Sequence, residues 1–327
     1  MSDTRTREPE PSAAVPFLGS GAGGAGDTLF RLLALSAGLV VLLILALIAI
    51  STTWEARTAF AQEGLSFITS SRWDPSAGEF GGLAFIFGTT LSSSIALAFA
   101  VPVSIGIALF TNEAAPRRLR RPVVYLMDLL AAIPSVVYGL WGILFLAPRM
   151  QGVYDWIAGA VDGIPLLDSL FARPAIGRSF MTAGLILAVM IIPIITSLSR
   201  EVIATVPAAQ REAAYGMGAT RWEMIRYSVL PWSRGGITGA VMLGLGRAMG
   251  ETIAVALVIG SAPKIGANLF APGDSMAAVI ANQFGEAATT HRSALIGLGV
   301  VLFAITIIVN MAARGIVGHS DRKLRAA

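Results

Sequence analysis

Two charged residues, Arg247 and Glu251, stand four positions apart in an apolar, glycine-rich stretch that reads GLGRAMGETIAV. This spacing places both side chains on one helix face, where the carboxylate can neutralise the guanidinium. A planar guanidinium also offers parallel N–H donors to the oxygens of an anion. The nearby carboxylate would then keep anion binding weak enough for release. The alternative interpretation is a buried structural ion pair that holds two helices together.

The elements that position this pair are expected to lie in a membrane. The chain has 327 residues, of which 55% are hydrophobic and 13% charged, whereas soluble domains carry about 25% charged residues. It has no cysteine and two histidines, so neither disulfides nor a metal site is expected, and no cofactor is predicted. Basic residues cluster between apolar segments, which is typical of a protein in a lipid bilayer and not of nucleic-acid binding.

Hydropathy predicts an all-α polytopic membrane protein with six transmembrane helices. The expected spans are residues 29–50, 83–110, 123–147, 179–198, 235–259 and 294–311, each near the length of about 20 residues that crosses a bilayer. Pro134 predicts a break in the third span, of the kind found where a helix lines a cavity. Four arginines lie between the second and third spans, and the positive-inside rule places them and both termini in the cytoplasm.

Both ends of the chain are predicted to be cytoplasmic tails, residues 1–28 and 321–327, on either side of a transmembrane domain of residues 29–320. The first tail is rich in Pro, Gly, Ser and charge, which favours disorder. It contains GAGGAGDT, which nearly matches a P-loop, but Asp27 occupies the position of the phosphate-binding lysine and no strand precedes it. The chain is therefore not expected to bind ATP, and no catalytic residue is predicted.

The polar loop of residues 205–233 is predicted to be cytoplasmic and to form two short helices. Pro207 suits the first turn of the first helix, and Gly218 permits a left-handed stop after it. Thr220 and Glu223 match a capping box at the start of the second helix, whose length Pro231 is expected to limit. One face of the second helix is predicted to carry Trp222, Ile225 and Val229. Such a helix pair can insert into a groove of a partner protein.

This loop resembles the EAA loop of ABC importer permeases, because it contains the pattern E-A-A-x3-G followed by L-P. The matching residues are Glu212, Ala213, Ala214, Gly218, Leu230 and Pro231. Ser228 departs from the family pattern, which often has Ile at that position. The resemblance narrows to phosphate-specific importer permeases of the PstC type through three further stretches, FGGLAFIFGT (80–89), DLLAAIPSVVYGLWG (128–142) and GLGRAMGETIAV (244–255). The sister permeases of the PstA type share the last stretch in part, whereas the second favours the PstC type.

The resemblance implies a type I ABC importer permease (MetI-like) fold in the bacterial inner membrane. It further implies a second permease subunit of the PstA type, an ATPase dimer of the PstB type and an external phosphate-binding protein of the PstS type. The family's transport residues fall on Arg247 and Glu251, and its ATPase-coupling residues fall on the EAA loop. The expected function is ATP-driven import of inorganic phosphate, with hydrolysis in a partner subunit. Two alternatives stay open: a permease for molybdate or sulfate, and a stand-alone ion-coupled carrier.

Three further polar features lie in the predicted spans. Asp128 is predicted to be a packing-neutral group near the cytoplasmic end of the third span, although a membrane carboxylate facing a partner is the alternative. Asn310 and the Ser/Thr run of residues 89–94 are expected to make helix-packing hydrogen bonds and not to bind ligand.

Overall fold

The computed structural model describes residues 25–174 and 176–325. Its helices are α1 (Ala25–Glu63), α2 (Ser66–Thr69), α3 (Leu83–Leu109), α4 (Arg117–Ala132), α5 (Ser135–Trp141), α6 (Ala147–Val161), α7 (Leu167–Leu170), α8 (Phe180–Ala204), α9 (Ala208–Gly216), α10 (Arg221–Met224), α11 (Leu230–Met249), α12 (Ile253–Val258), α13 (Met276–Gln283) and α14 (Thr289–Arg325). Three π-helical turns continue α3, α5 and α10, at Phe110–Ala114, Gly142–Leu146 and Ile225–Val229. Strands β1 (Trp73–Asp74) and β2 (Glu79–Phe80) form a short antiparallel hairpin.

The predicted disordered tail falls largely on residues 1–24, which lie outside the described residues, whereas residues 25–28 are helical. The chain divides after Ser51 into two units. In the first unit, the described part of α1 exposes large apolar side chains throughout, among them Leu29, Leu33, Leu39, Leu43 and Leu47. A helix with apolar side chains on all sides is suited to contact with lipid.

Five helical segments of the described chain are long and apolar enough to cross a membrane. They comprise residues 26–63, 83–114, 135–161, 180–204 and 289–315. The predicted span 235–259 corresponds to α11 and α12, which are separate helices. At 20 residues, α11 has a length of about 30 Å, but its five glycines, Arg234 and Arg247 make it less apolar. The all-α polytopic architecture is confirmed, and it is consistent with six crossings.

Helix α8 lies at the centre of the second unit and packs against α3 and α11. Its fully buried side chains include Ile186, Leu187, Ile191 and Ile195. Gly184 permits the close approach of α3, because a methyl group at this position would collide with Ile95. The packed core thereby fixes the position of α8, against which α11 packs.

The predicted break at Pro134 is present, since α4 ends at Ala132 and α5 begins at Ser135. The Tyr138 hydroxyl donates a hydrogen bond of 2.8 Å to the Leu130 carbonyl across the break, in addition to the 3.4 Å bond that this carbonyl accepts from the Ile133 N–H. Beyond the break the chain stays helical to Val161. The apolar helix therefore covers residues 135–161 and not the expected 123–147.

The hydroxyls of the Ser/Thr run in α3 bond mainly within their own helix. Thr90, Ser92 and Ser94 each donate to the carbonyl four residues earlier, at 2.7 to 2.8 Å. Thr89 does the same and also accepts a hydrogen bond of 3.0 Å from the Met276 backbone N–H. The expected helix-packing role thus holds for Thr89, which joins α3 to the start of α13.

Candidate substrate groove and coupling loop

Arg247 lines a cavity of about 880 Å³ between α8, α11 and α14, which we call the groove. Its walls consist of Ile194, Gly235, Thr238, Gly239, Met242, Leu243, Gly246, Arg247, Asn310 and Arg314. These lining residues include two arginines and no carboxylate. The groove therefore has a positive potential and suits an anion.

Within the described part of the chain, the Arg247 guanidinium makes no hydrogen bond or ion pair. Glu251 forms no ion pair with it in the described chain, and the two residues do not share one helix, since α11 ends at Met249 and α12 begins at Ile253. A Glu251 carboxylate oxygen accepts a hydrogen bond of 3.3 Å from the Ala254 N–H. The first N–H groups of a helix have no intrahelical partner and favour a carboxylate. The sequence spacing alone did not reveal this competing interaction.

Helix α12 packs against two glycines, Gly139 of α5 and Gly142 of the π-turn that follows α5. A methyl group on Gly139 would lie 2.8 Å from the Ala254 Cα, and one on Gly142 would lie 2.7 Å from Val258 Cγ1. The stretches at residues 128–142 and 244–255, which carried the family resemblance separately, therefore pack against each other. Sequence reasoning missed this contact, although the three-residue spacing of the two glycines, which gives a helix one small face, was a signal for it.

Asn310 and Asp128, the other polar residues singled out in the predicted spans, lie in different parts of the structure. Asn310 lies on the groove with Arg314, and its amide makes no hydrogen bond in the described chain, so the expected helix-packing bond is not formed there. Asp128 is exposed on α4, away from the groove. It lines a cavity of about 10 Å³ that also contacts Arg200 on α8.

The loop of residues 205–233 folds as predicted into two short helices, α9 and α10. Gly218 has a φ of +83°, the left-handed conformation that glycine adopts without strain. The capping box is confirmed, since the Glu223 N–H donates to Thr220 Oγ1 at 3.4 Å and Glu223 Oε2 accepts from the Thr220 N–H at 2.8 Å. The bend between the helices is therefore fixed by local hydrogen bonds. We call α9 and α10 the coupling knob.

Arg211 fastens the coupling knob to two membrane helices. Its guanidinium donates to Glu113 Oε1 at 2.9 Å and to the carbonyls of Val206 at 2.7 Å and Ile203 at 3.0 Å. Glu113 follows α3, and its side chain is 8% exposed, while Ile203 belongs to α8. The sequence analysis did not single out Arg211, because its partner lies 98 residues away.

The second helix of the loop does not stop at Pro231, contrary to the prediction. The chain is helical from Arg221 through the π-turn and α11 to Met249. Pro231 occupies the first turn of α11, where the preceding π-turn changes the hydrogen-bond register and accommodates its missing N–H. A single helical rod of roughly 43 Å thus joins the coupling knob to Arg247.

The predicted shared face of the second helix is correct for Ile225 and Val229, which are buried, and wrong for Trp222, which is 61% exposed. The π-turn after Met224 shifts the angular position of the residues that follow it. Trp222 instead joins other large exposed apolar side chains on this loop, namely Tyr215, Met217, Tyr227 and Trp232. Several large exposed apolar side chains on one loop are typical of a binding surface for another protein.

The six residues of the EAA pattern, which lie on the coupling knob and at the start of α11, differ in their exposure. Glu212 and Ala213 are exposed, Ala214 is buried, and Leu230 is partly buried. A surface cleft of about 490 Å³ is lined by Gln210, Ala213, Ala214, Met217, Tyr227, Ser228, Pro231 and Trp232. The cleft brings the E-A-A and L-P halves of the pattern to one surface.

The helical fold, the cationic groove and the exposed knob define the membrane component of a transport system. A family model described as binding-protein-dependent transport system inner membrane component matches residues 100–326. The chain belongs to this family. It is therefore a multi-pass membrane protein that works with partner subunits and a binding protein, and its role is transport.

Named relatives support this assignment over most of the chain. The chain is 45% identical over 305 residues to the "Phosphate transport system permease protein PstC" of Mesorhizobium japonicum, and the match covers 92% of each chain. It is 44% identical over 298 residues to the protein of the same name from Xylella fastidiosa, with coverage of 91% of this chain and 92% of the relative. The predicted resemblance to permeases of the PstC type is confirmed.

A solved structure supports the fold. The chain matches a bacterial ABC transporter involved in the import of the acidic polysaccharide alginate with a TM-score of 0.57, at 21% identity, over 89% of this chain and 98% of that one. This likeness confirms the predicted fold of ABC importer permeases.

Proposed function

We propose that this chain is the permease subunit of an ATP-driven importer of inorganic phosphate, and that Arg247 contacts the anion on its path. The substrate follows from the relatives, which are named as phosphate transport permeases at 44–45% identity. We assign the site from the Arg247 guanidinium, which lines the groove and forms no ion pair in the described chain. Its fork of N–H donors matches phosphate oxygens.

Glu251 has a different role from Arg247 in this proposal. Its carboxylate accepts a hydrogen bond from the start of α12 and so holds the turn between α11 and α12 beside the groove. It also contributes a negative charge near the path, which weakens anion binding. Weak binding favours release, which conduction requires.

Coupling to ATP follows from the rod between the knob and the groove. The exposed part of the coupling knob, including Glu212, inserts into a cleft of the ATPase subunit, and nucleotide binding there moves the knob. Because the knob is continuous with α11 and is tied to α3 and α8 through Arg211, its motion displaces the groove wall. Rocking of the membrane helices then alternates access to Arg247.

The complex comprises a second permease of the PstA type, an ATPase dimer of the PstB type and an external phosphate-binding protein of the PstS type. In this arrangement the knob, both termini and the arginines of residues 117–121 face the cytoplasm. The second permease closes the open side of the groove enough to separate it from lipid.

The test is uptake of labelled phosphate by the complete complex in proteoliposomes, with and without ATP inside. Arg247→Gln should reduce the uptake rate by at least about tenfold, the effect of losing a charge-assisted hydrogen bond of 1.5–3 kcal/mol. Arg173→Gln is the matched control, because Arg173 is exposed on a loop away from the groove, and it should transport normally. Excess molybdate and sulfate should not compete.

Assembly of each variant is checked by recovery of the ATPase subunit with the tagged permease. Undiminished uptake by an assembled Arg247→Gln complex would show that phosphate does not depend on this residue. ATP-independent flux through the chain alone would identify a stand-alone carrier instead.

A further inference from the structure

The glycines of α11 face two different environments. A methyl group on Gly236 would lie 2.5 Å from Val202 Cγ1, and one on Gly244 would lie 2.7 Å from Ile195 Cδ1. These two glycines therefore permit tight packing against α8. Gly239 and Gly246, in contrast, have no heavy atom within 4 Å of an added methyl group. They form the open floor of the groove, so packing within the described chain does not explain their small size.

The polar side chains of the groove lie at two levels. Arg247 is on α11, twelve residues beyond Gly235 or roughly 18 Å along the helix. Asn310 and Arg314 are on α14 and four residues apart, so they share one helix face. In the topology proposed above, Arg314 lies near the cytoplasmic end of α14, and Arg247 lies deeper in the membrane.

The groups at the cytoplasmic level are available to a ligand. Neither the Asn310 amide nor the Arg314 guanidinium makes a hydrogen bond or ion pair within the described residues. Thr238 differs, because its hydroxyl donates 2.9 Å to the Arg234 carbonyl. No carboxylate is among the described lining residues of the groove, so the lining at this level carries positive charge.

We propose that Asn310 and Arg314 form a second anion-binding site at the cytoplasmic mouth of the groove. The ligand is a small divalent oxyanion, and the proposal that it is phosphate rests on the proposed function. The Arg314 fork binds two oxygens, and the Asn310 amide donates to a third. An anion leaving Arg247 then passes to a second cation before it reaches water, because multiple weak sites favour conduction over trapping.

The absence of cysteine from the chain permits an electrostatic test that does not depend on transport. Thr238→Cys places a single thiol of this subunit on the groove wall. In inside-out vesicles containing the complete complex, the thiol is modified by an anionic sulfonatoethyl or a cationic trimethylammonioethyl methanethiosulfonate. The ratio of the two modification rates reports the local potential, since a cleft lined by one sign of charge concentrates counter-ions.

Adding Arg314→Gln should lower the anionic-to-cationic rate ratio roughly tenfold. Arg314→Lys should preserve most of the ratio, because it keeps the charge. Arg118→Gln is the charge-matched control, since Arg118 is exposed on α4 and does not line the groove, and it should leave the ratio within about twofold. Inorganic phosphate should slow modification in the Thr238→Cys parent and protect much less in the Arg314→Gln and Asn310→Ala variants.

An unchanged rate ratio in Arg314→Gln, or undiminished protection by phosphate, would overturn the second site. A thiol that reacts with neither reagent would also overturn it, because the mouth would then be covered by the partner permease. The proposed function is tested separately by ATP-dependent phosphate uptake of the complex that contains the unsubstituted chain. Loss of the second site with normal uptake leaves the function standing, whereas a correct rate ratio without phosphate uptake overturns the function alone.

Discussion

The arginines of the groove and of the coupling knob differ in whether the described chain supplies them with hydrogen-bond partners. Arg211, at the knob, directs its guanidinium to one carboxylate and two backbone carbonyls, all within 3.0 Å. Arg247 and Arg314, on the groove, have no such partner in the described chain. Arg211 is therefore a structural link, although its Nε is buried without a partner among the described residues, whereas the unpaired guanidiniums of Arg247 and Arg314 suit the anion-binding roles that we propose for them.

The two regions also differ in the mechanical role that we propose for each. In the proposed function the knob transmits a displacement, which suits its ion pair, capping box and continuous helix. The groove accepts and releases an anion in that proposal, which suits its glycine floor and its accessible cations. Asp274 is intermediate between the paired Arg211 and the unpaired groove arginines. Its side chain is buried, and its carboxylate accepts one hydrogen bond in the described chain, from the Ser275 N–H at 2.8 Å.

The largest expected effect comes from breaking the knob at Arg211. Arg211→Ala leaves the mostly buried Glu113 carboxylate and two carbonyls without their donor, which should cost about 3 kcal/mol. We expect phosphate uptake to fall more than about tenfold while the ATPase subunit continues to hydrolyse ATP. Uptake and ATPase rates of the same proteoliposomes measure this uncoupling.

The double variant Arg211→Gln with Glu113→Gln serves as the control, because it removes both charges together. It should recover thermal stability relative to Arg211→Ala, since no buried charge is left unpaired. If Arg211→Ala transported normally, the ion pair would not be part of the coupling path.

Asp274 is expected to make the stability of the complex depend on pH. Burial raises the pKa of this carboxyl from 3.8 to about 6, so the folded state holds a proton that the unfolded state has lost between these values. Stability should therefore decrease as pH rises from about 4 to about 6 and then stay low, with a total change of about 2–3 kcal/mol. Asp274→Asn should be the more stable protein at pH 7.

Thermal unfolding of both proteins between pH 4 and pH 8 tests this expectation. The difference between Asp274→Asn and the parent should shrink toward acid pH. A constant difference across the range would show that the ionisation of Asp274 is not the cause.

A smaller loss is expected from filling the contact between α5 and α12. Gly139→Ala places a methyl group 2.8 Å from the Ala254 Cα, which is a backbone atom and cannot move independently. The overpacking should cost about 1–3 kcal/mol and displace the turn that carries Glu251. Gly152→Ala in α6 is the control, because that position is open, and it should be neutral or stabilising. Equal melting temperatures for the two variants would refute the close approach.

The smallest effect is expected from Thr220→Ala, which removes the capping box of α10. Loss of one N-cap should raise the hydrogen-exchange rate of the knob roughly fivefold. Exchange at the groove end of α11 should stay unchanged, since the cap acts locally. Accelerated exchange around Arg247 would instead indicate that the knob and the groove unfold together.

The sequence predicted the features that depend on near neighbours in the chain. Thr220 and Glu223 are three residues apart, so their capping box could be read directly, and Gly218 signalled its left-handed turn by residue type. The break at Pro134 was likewise predictable, because backbone sterics do not depend on the fold, whereas the position of Arg247 within the membrane stays a prediction.

Tertiary structure decided which groups meet. The spacing of Arg247 and Glu251 predicted a contact only if one helix continued through Gly250, but α11 ends at Met249 and α12 packs separately against Gly139 and Gly142. The Arg211–Glu113 pair and the groove between α11 and α14 join residues far apart in sequence. Their formation depends on how whole helices pack, a balance of many small contact energies that no local pattern of residues encodes.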